Sequence, residues 1–129
     1  MLNILIWTYI YSMSNKIIIY HNPRWGKRRN SVGILDEKGL PYNVIKYIDN
    51  PLSVLKLKEL SQKLSLRPKD FIRKGEQEFK VLNLAEKLDN DDILFDAISK
   101  HPKLMERPII VNGEKACIGR PPEKILDII

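Results

Sequence analysis

The sequence holds a single cysteine, Cys117. That excludes an intramolecular disulfide and the small secreted fold that cystines staple together, so the cytoplasm is the expected compartment. Long hydrophobic runs are missing as well. Residues 2–11 are apolar apart from Asn3 and Thr8, but they are too short to span a bilayer and have neither a basic n-region nor a small-residue cleavage site. There is no internal repeat or low-complexity segment, and the only run of basic residues is Lys27-Arg28-Arg29. Neither a membrane nor a nucleic-acid partner is expected.

What remains fits one domain around one core. The chain has 129 residues, 43% hydrophobic and 29% charged. Lys and Arg number 22 against 16 Asp and Glu, giving +6 and a pI near 9.4, a balance suited to small oxyanions. Met13-Ser14-Asn15-Lys16 directly precedes the first strand-like run. The expected division is therefore a single domain over 13–129, as a monomer, behind an extension at 1–12. An upstream start assignment accounts for that extension, and a short membrane or partner contact is the other reading.

The chain is organised around Lys16-Ile17-Ile18-Ile19-Tyr20-His21-Asn22-Pro23-Arg24-Trp25-Gly26-Lys27-Arg28-Arg29-Asn30. The β-branched and aromatic run at 17–20 suits a strand buried on both faces. Asn22-Pro23 and Gly26 then break it ahead of a segment that reads as helix to Lys38. A loop that ends on a helix N-terminus aims unpaired N–H groups and a positive dipole end at its guest, and an anion is the natural guest.

Gly39 closes this helix, and residues 42–48 have strand composition, which predicts a right-handed parallel βαβ unit. Ser53 is the predicted N-cap of a helix with Leu55, Leu57, Leu60 and Leu64 on its apolar face. A broken helical pattern follows, with a helical turn over 68–74, an interruption at Gly75 and a helix after Asp89-Asn90-Asp91-Asp92; an inserted helical subdomain is expected at about 53–105. Strands are predicted over 108–111 and 115–118 around Asn112-Gly113, then a helix opened by Pro121-Pro122, with Ile125, Leu126, Ile128 and Ile129 on its apolar face. The predicted fold is α/β, a four-stranded mixed sheet flanked by helices.

Tyr20-His21-Asn22-Pro23-x-x-Gly26-Lys27-x-Arg29-Asn30 resembles the active-site loop of the glutaredoxin-dependent arsenate reductases, thioredoxin-like enzymes that reduce arsenate to arsenite with glutathione. The resemblance continues in Leu66-Arg67-Pro68-Lys69-Asp70-Phe71-Ile72-Arg73-Lys74, in His101-Pro102-Lys103-Leu104-Met105-Glu106-Arg107-Pro108-Ile109-Ile110-Val111 and in Ile118-Gly119-Arg120-Pro121-Pro122-Glu123-Lys124. It implies that Arg73, Arg107 and Arg120 hold the oxyanion, a task suited to planar guanidinium forks. It further implies a cis peptide before Pro108 and a histidine, His21, that modulates the nucleophile. Arg24 and Arg67 are read as ordinary solvated arginines and His101 as structural; His21 keeps the alternative of a buried residue that caps strand and loop.

The family loop reads His-Asn-Pro-x-Cys-Gly-x-Ser, and its cysteine attacks arsenate. This chain has Trp25 at the cysteine position and Arg28 at the serine position. An indole N–H only donates and cannot form an arsenic–sulfur bond or a mixed disulfide with glutathione. Cys117, in the predicted fourth strand, reads as a small hydrophobe. Trp25 is open to three accounts: a degenerate family member, an error or recent decay of the gene (Cys to Trp and Ser to Arg are each one third-base change), or a deliberate substitution. The expectation is an arsenate reductase scaffold with no bound cofactor, inactive or impaired, taking arsenate or a similar oxyanion; if active, it would use glutathione and glutaredoxin as reductant and partner. The alternatives are a thioredoxin-fold regulator that binds RNA polymerase and a non-catalytic oxyanion-binding module.

Overall fold

The computed structural model describes residues 17–21 and 29–129. The expectations for 1–16 and for the loop at 22–28, Trp25 and Arg28 included, lie outside the described residues.

Eight regular elements follow one another: β1 (Ile17–His21), α1 (Arg29–Glu37), β2 (Tyr42–Lys46), α2 (Val54–Leu64), α3 (Gln77–Val81), α4 (Asp91–Lys100), β3 (Ile109–Asn112) and β4 (Lys115–Ile118). Short 3-10 turns at Pro68–Asp70, Leu84–Lys87, Pro102–Leu104 and Pro122–Asp127 join or finish them. The strands form one mixed sheet in the order β2-β1-β3-β4, with β1 parallel to β2 and antiparallel to β3. No described helix is long and apolar enough to cross a membrane.

Strand periodicity divides the core between the two faces of this sheet. Ile17 and Ile19 of β1, with Ile110 of β3, pack against Leu35, Ile125 and Ile128 on one side. Tyr20, Ile109 and Val111 point the other way, into the larger cluster built with Leu57, Leu60, Phe71, Leu94 and Ile98. With helices on both sides, β1 is buried on both, which is why its sequence is a continuous apolar run rather than an alternating one.

Local chemistry sets several boundaries. Gly39 takes a positive φ of 63° where α1 ends. The Ser53 side chain accepts the Lys56 N–H and that of Asn90 accepts the Ile93 N–H, capping α2 and α4. Asn112 pairs with Lys115, leaving Gly113 and Glu114 as a two-residue hairpin loop; Gly113, at a φ of 62°, meets the positive-φ demand of its first position.

Several predicted features come out differently, among them β3, which runs Ile109–Asn112 rather than 108–111 because Pro108 has no N–H for the ladder. The second strand stops at Lys46, because the Asp49 and Asn50 N–H groups both bond to the Lys46 carbonyl and turn the chain inward. The helical turn expected over 68–74 closes at Asp70, since Ile72 leaves it to form an antiparallel bridge with Met105. Leu55 is 78% exposed, being off the face shared by Leu57, Leu60 and Leu64. The last helix is a 3-10 turn that buries Ile125 and Ile128 but leaves Leu126 and Ile129 exposed.

Candidate functional site

The topology brings one end of every strand to a common sheet edge. Because β1 and β2 are parallel, His21 and Lys46 finish side by side. Because β3 runs against β1, its start meets the end of β1, and Tyr20 pairs with Ile109. Because β4 runs against β3, its end returns there as well, with Ile118 opposite Ile109. His21, Tyr47, Arg107-Pro108 and Gly119-Arg120 therefore come to one rim.

Arg73 reaches this rim by a different route. The Ile72 to Met105 bridge is fastened on both sides, by the Arg73 N–H to the Leu104 carbonyl at 2.6 Å and by the Glu106 N–H to the Phe71 carbonyl at 2.9 Å. Ile72, Met105 and Phe71 are all buried beneath it, so the backbone carrying Arg73 is pinned to the backbone carrying Arg107.

Electrostatics record the convergence of the three arginines. The Arg120 guanidinium is held below its ordinary value, first by desolvation and then by the charges of Arg73 and Arg107, with Glu106 and Tyr47 acting against that. Arg107 is 8% exposed, an uncommon degree of burial for an arginine, and its charge acts on the nearby Tyr47 phenol. The same phenol donates to the Met105 carbonyl at 3.4 Å. Burial pushes the Tyr47 hydroxyl up, while Arg107 and Arg73 pull it back part of the way, so the phenol stays protonated and neutral near pH 7. Arg73 pairs with Glu76, Nε to Oε1 at 3.1 Å.

Sequence reasoning missed Tyr47, Glu76 and Glu106. The signals were slight: a polar-tipped aromatic just before Asp49-Asn50-Pro51, and a Gly75 that lets the chain double back on Arg73. The Arg107–Pro108 bond is cis, as the resemblance implied, and Arg120–Pro121, for which no expectation was formed, is cis too. Arg67, read as an ordinary surface arginine, lies exposed and bonds to Asp91 at 2.9 Å. His101 ends α4, its N–H donating to the Ala97 carbonyl. His21 is buried at 5% exposure at the end of β1.

The first turn of α1 packs against this rim from the opposite side to Tyr47. A Cβ added at Gly119 would come within 2.7 Å of Ile110 Cδ1, 2.8 Å of Ser31 Oγ and 3.1 Å of Pro108 Cγ. Only a glycine lets the chain pass so close to the start of that helix and to Pro108 on its way to Arg120.

Cys117 is a poor substitute for a nucleophile. It lies on β4 opposite Ile110 and is partly buried against the smaller core cluster. Burial, helped by Asp127, pushes its thiol up from an ordinary value of 9.0 to about 11. A group held protonated by folding contributes stability that is complete below pH 9 and is lost as pH rises toward 11. Cys117→Ala should flatten that alkaline loss in urea midpoints measured across pH 8–11. At pH 7.5 the wild-type thiol should react with an aromatic disulfide reagent only slowly until the chain is unfolded.

The match to known proteins follows the same outline. The model of the ArsC family matches residues 20–128. This chain belongs to the ArsC family. It is 41% identical over 118 residues to the arsenate reductase of Haemophilus influenzae, covering 88% of this chain and 98% of that protein. It is 39% identical over 118 residues to the uncharacterized protein YfgD of Escherichia coli K12, covering 91% and 99%. The solved arsenate reductase from Vibrio cholerae superposes with a TM-score of 0.84 at 42% identity, over 90% of this chain and 99% of that one. The mixed four-stranded sheet flanked by helices is thus the thioredoxin-like ArsC architecture. The ArsC match runs across position 25, where this chain carries Trp.

Proposed function

We propose that this ArsC-family chain binds a tetrahedral oxyanion such as arsenate or phosphate through Arg73, Arg107 and Arg120, and that Trp25 leaves it without the reductase step. What supports the binding half is that the charges of Arg73 and Arg107 act on both Arg120 and Tyr47, on segments that the sheet topology and the Ile72 to Met105 bridge bring to one edge. A tetrahedral dianion needs about two compensating positive charges and several fixed donors, and three arginines provide both.

The catalytic half rests on position 25. Converting arsenate to arsenite takes two electrons, which a thiol enzyme supplies as sulfur goes from thiol to disulfide; the first bond in that route joins sulfur to arsenic. An indole offers neither a nucleophilic lone pair nor an oxidisable thiol, and Cys117 is withdrawn into β4 with a raised pKa. The same proposal assigns His21 the role of tuning a thiol that is absent here. It places the chain in the cytoplasm as a monomer, with glutathione and glutaredoxin becoming relevant only once a cysteine stands at position 25.

Titration of the purified chain with arsenate and with phosphate, followed by tryptophan fluorescence and by calorimetry, should show binding of both. Arg120→Ala should weaken it roughly 10- to 100-fold, the usual worth of a charge-assisted hydrogen bond. A glutathione and glutaredoxin-coupled assay should find arsenate consumed no faster than in buffer. Turnover by the wild-type chain would overturn the catalytic half, and absence of anion binding would overturn the other.

A further inference from the structure

Arg73 differs from its two companions in how it is held. Arg107 is buried, at 8% exposure, and Arg120 follows a backbone pressed against Pro108 and the start of α1. Arg73 is less enclosed: its side chain is 23% exposed, on a segment pinned through its backbone by the Ile72 to Met105 bridge. An arginine with its rotors loose loses much of its affinity for an anion to the entropy of being ordered. The described residue that restrains it is Glu76, 24% exposed, through Oε1 to Nε at 3.1 Å.

We infer that Glu76 is a positioning residue of the oxyanion site, holding the Arg73 guanidinium by its Nε edge so that its two terminal nitrogens are presented to the ligand. The inference rests on the oxyanion reading and adds to it a residue that touches no substrate. Guanidinium geometry makes the division natural, because Nε lies on the stem side of the planar fork and the terminal nitrogens on the other. Glu76 is itself fixed. It stands just ahead of α3, its N–H returns to the Arg73 carbonyl at 3.4 Å, and Gly75 is the bend between the two.

A negative charge at this place also opposes an incoming anion, and the two effects predict opposite results. If Glu76 mainly repels, removing its charge strengthens binding. If it mainly positions, the acceptor oxygen matters more than the charge, so Glu76→Gln, whose amide oxygen still accepts from Nε, keeps the site while Glu76→Ala loses it.

The test is calorimetric titration of the full chain and of both variants with inorganic phosphate and arsenate at low and at moderate salt, with thermal melts of each protein alone. An isolated ion pair that is still partly exposed, here 23% and 24%, adds only modestly to stability, so both variants should melt within a few degrees of wild type. Glu76→Ala should weaken binding about tenfold or more, while Glu76→Gln should stay within about threefold of wild type, a rescue that a loss of fold cannot produce. Wild-type-like or tighter binding by Glu76→Ala overturns the inference and leaves the oxyanion reading intact. Equal weakening of the two variants overturns it too, because charge rather than grip would then be the cause. Absence of binding by the wild-type chain overturns the oxyanion reading itself, and this inference with it.

Discussion

A Trp25→Cys, Arg28→Ser double variant is expected to reduce arsenate with glutathione and glutaredoxin on the order of 10³-fold or more faster than the wild-type chain, the scale on which loss of a covalent nucleophile is felt. The argument has three parts. First, the fold is the ArsC architecture along the matched length, with a TM-score of 0.84 to an arsenate reductase. Second, the arginine groups that would receive the anion belong to segments far from position 25 in sequence, and the Ile72 to Met105 bridge fixes two of those segments to each other. Third, position 25 stands four residues ahead of α1 in sequence, and a thiol in front of a helix N-terminus ionises readily, so the new cysteine should be a thiolate near neutral pH. Trp25→Cys alone should recover part of the rate. Cys117→Ala in the same background should change nothing, since that thiol is held protonated in β4. A double variant that melts like wild type, binds phosphate and still fails to reduce arsenate would show that Trp25 is not what silences the scaffold.

Phe71→Ala is expected to cost about 3–5 kcal/mol of stability, the usual range for emptying a large aromatic site in a packed core. Phe71 is 0% exposed and belongs to the cluster that includes Leu94, Ile98 and Met105. Its carbonyl accepts the Glu106 N–H, so the ring stands directly under the junction that carries Arg73 and Arg107. Urea unfolding should give a much lower midpoint with little change in slope, and the melting temperature should fall by roughly 10–20 °C. Phe71→Leu should cost much less, because most of the volume is restored. In the surviving fraction of Phe71→Ala, phosphate binding should weaken as the two arginine-bearing segments lose their shared floor.

Much of this was legible in the residues, for reasons that can be named. The β4 limits, Lys115–Ile118, agree with the prediction because the Asn112-Gly113 turn sets the register on one side and Gly119 ends the strand on the other. β3 begins one residue later than expected, at Ile109, since Pro108 has no N–H to give to the ladder. The Ser53 cap and the Gly39 stop are local chemistry and were equally plain.

What could not be read was whatever depends on a distant partner. Nothing within 68–74 says that Ile72 will abandon a turn for Met105, because the contact that decides it is more than thirty residues away. Tyr47 looked like a strand residue and is instead the buried post against which Arg107 leans, a role visible only once β2 and β3 lie in one sheet. Arg73, Arg107 and Arg120 were picked out by resemblance, and their mutual influence needed coordinates.

The pairing of Ile17 with Asn112 makes the central strand wait for the far end of the chain. Such distant closures are late and slow compared with helix formation, so the helices between β2 and β3 can assemble while the rim is still in pieces. On the proposed oxyanion site, a fragment lacking β3 and β4 would have no place for the ligand, since Arg107 and Arg120 flank those strands. Phosphate would then bind only the completed molecule and, at a hundredfold excess over its dissociation constant, would add about 2.7 kcal/mol. An anion-dependent rise in melting temperature would thus act as a gauge of how much of a preparation has finished folding.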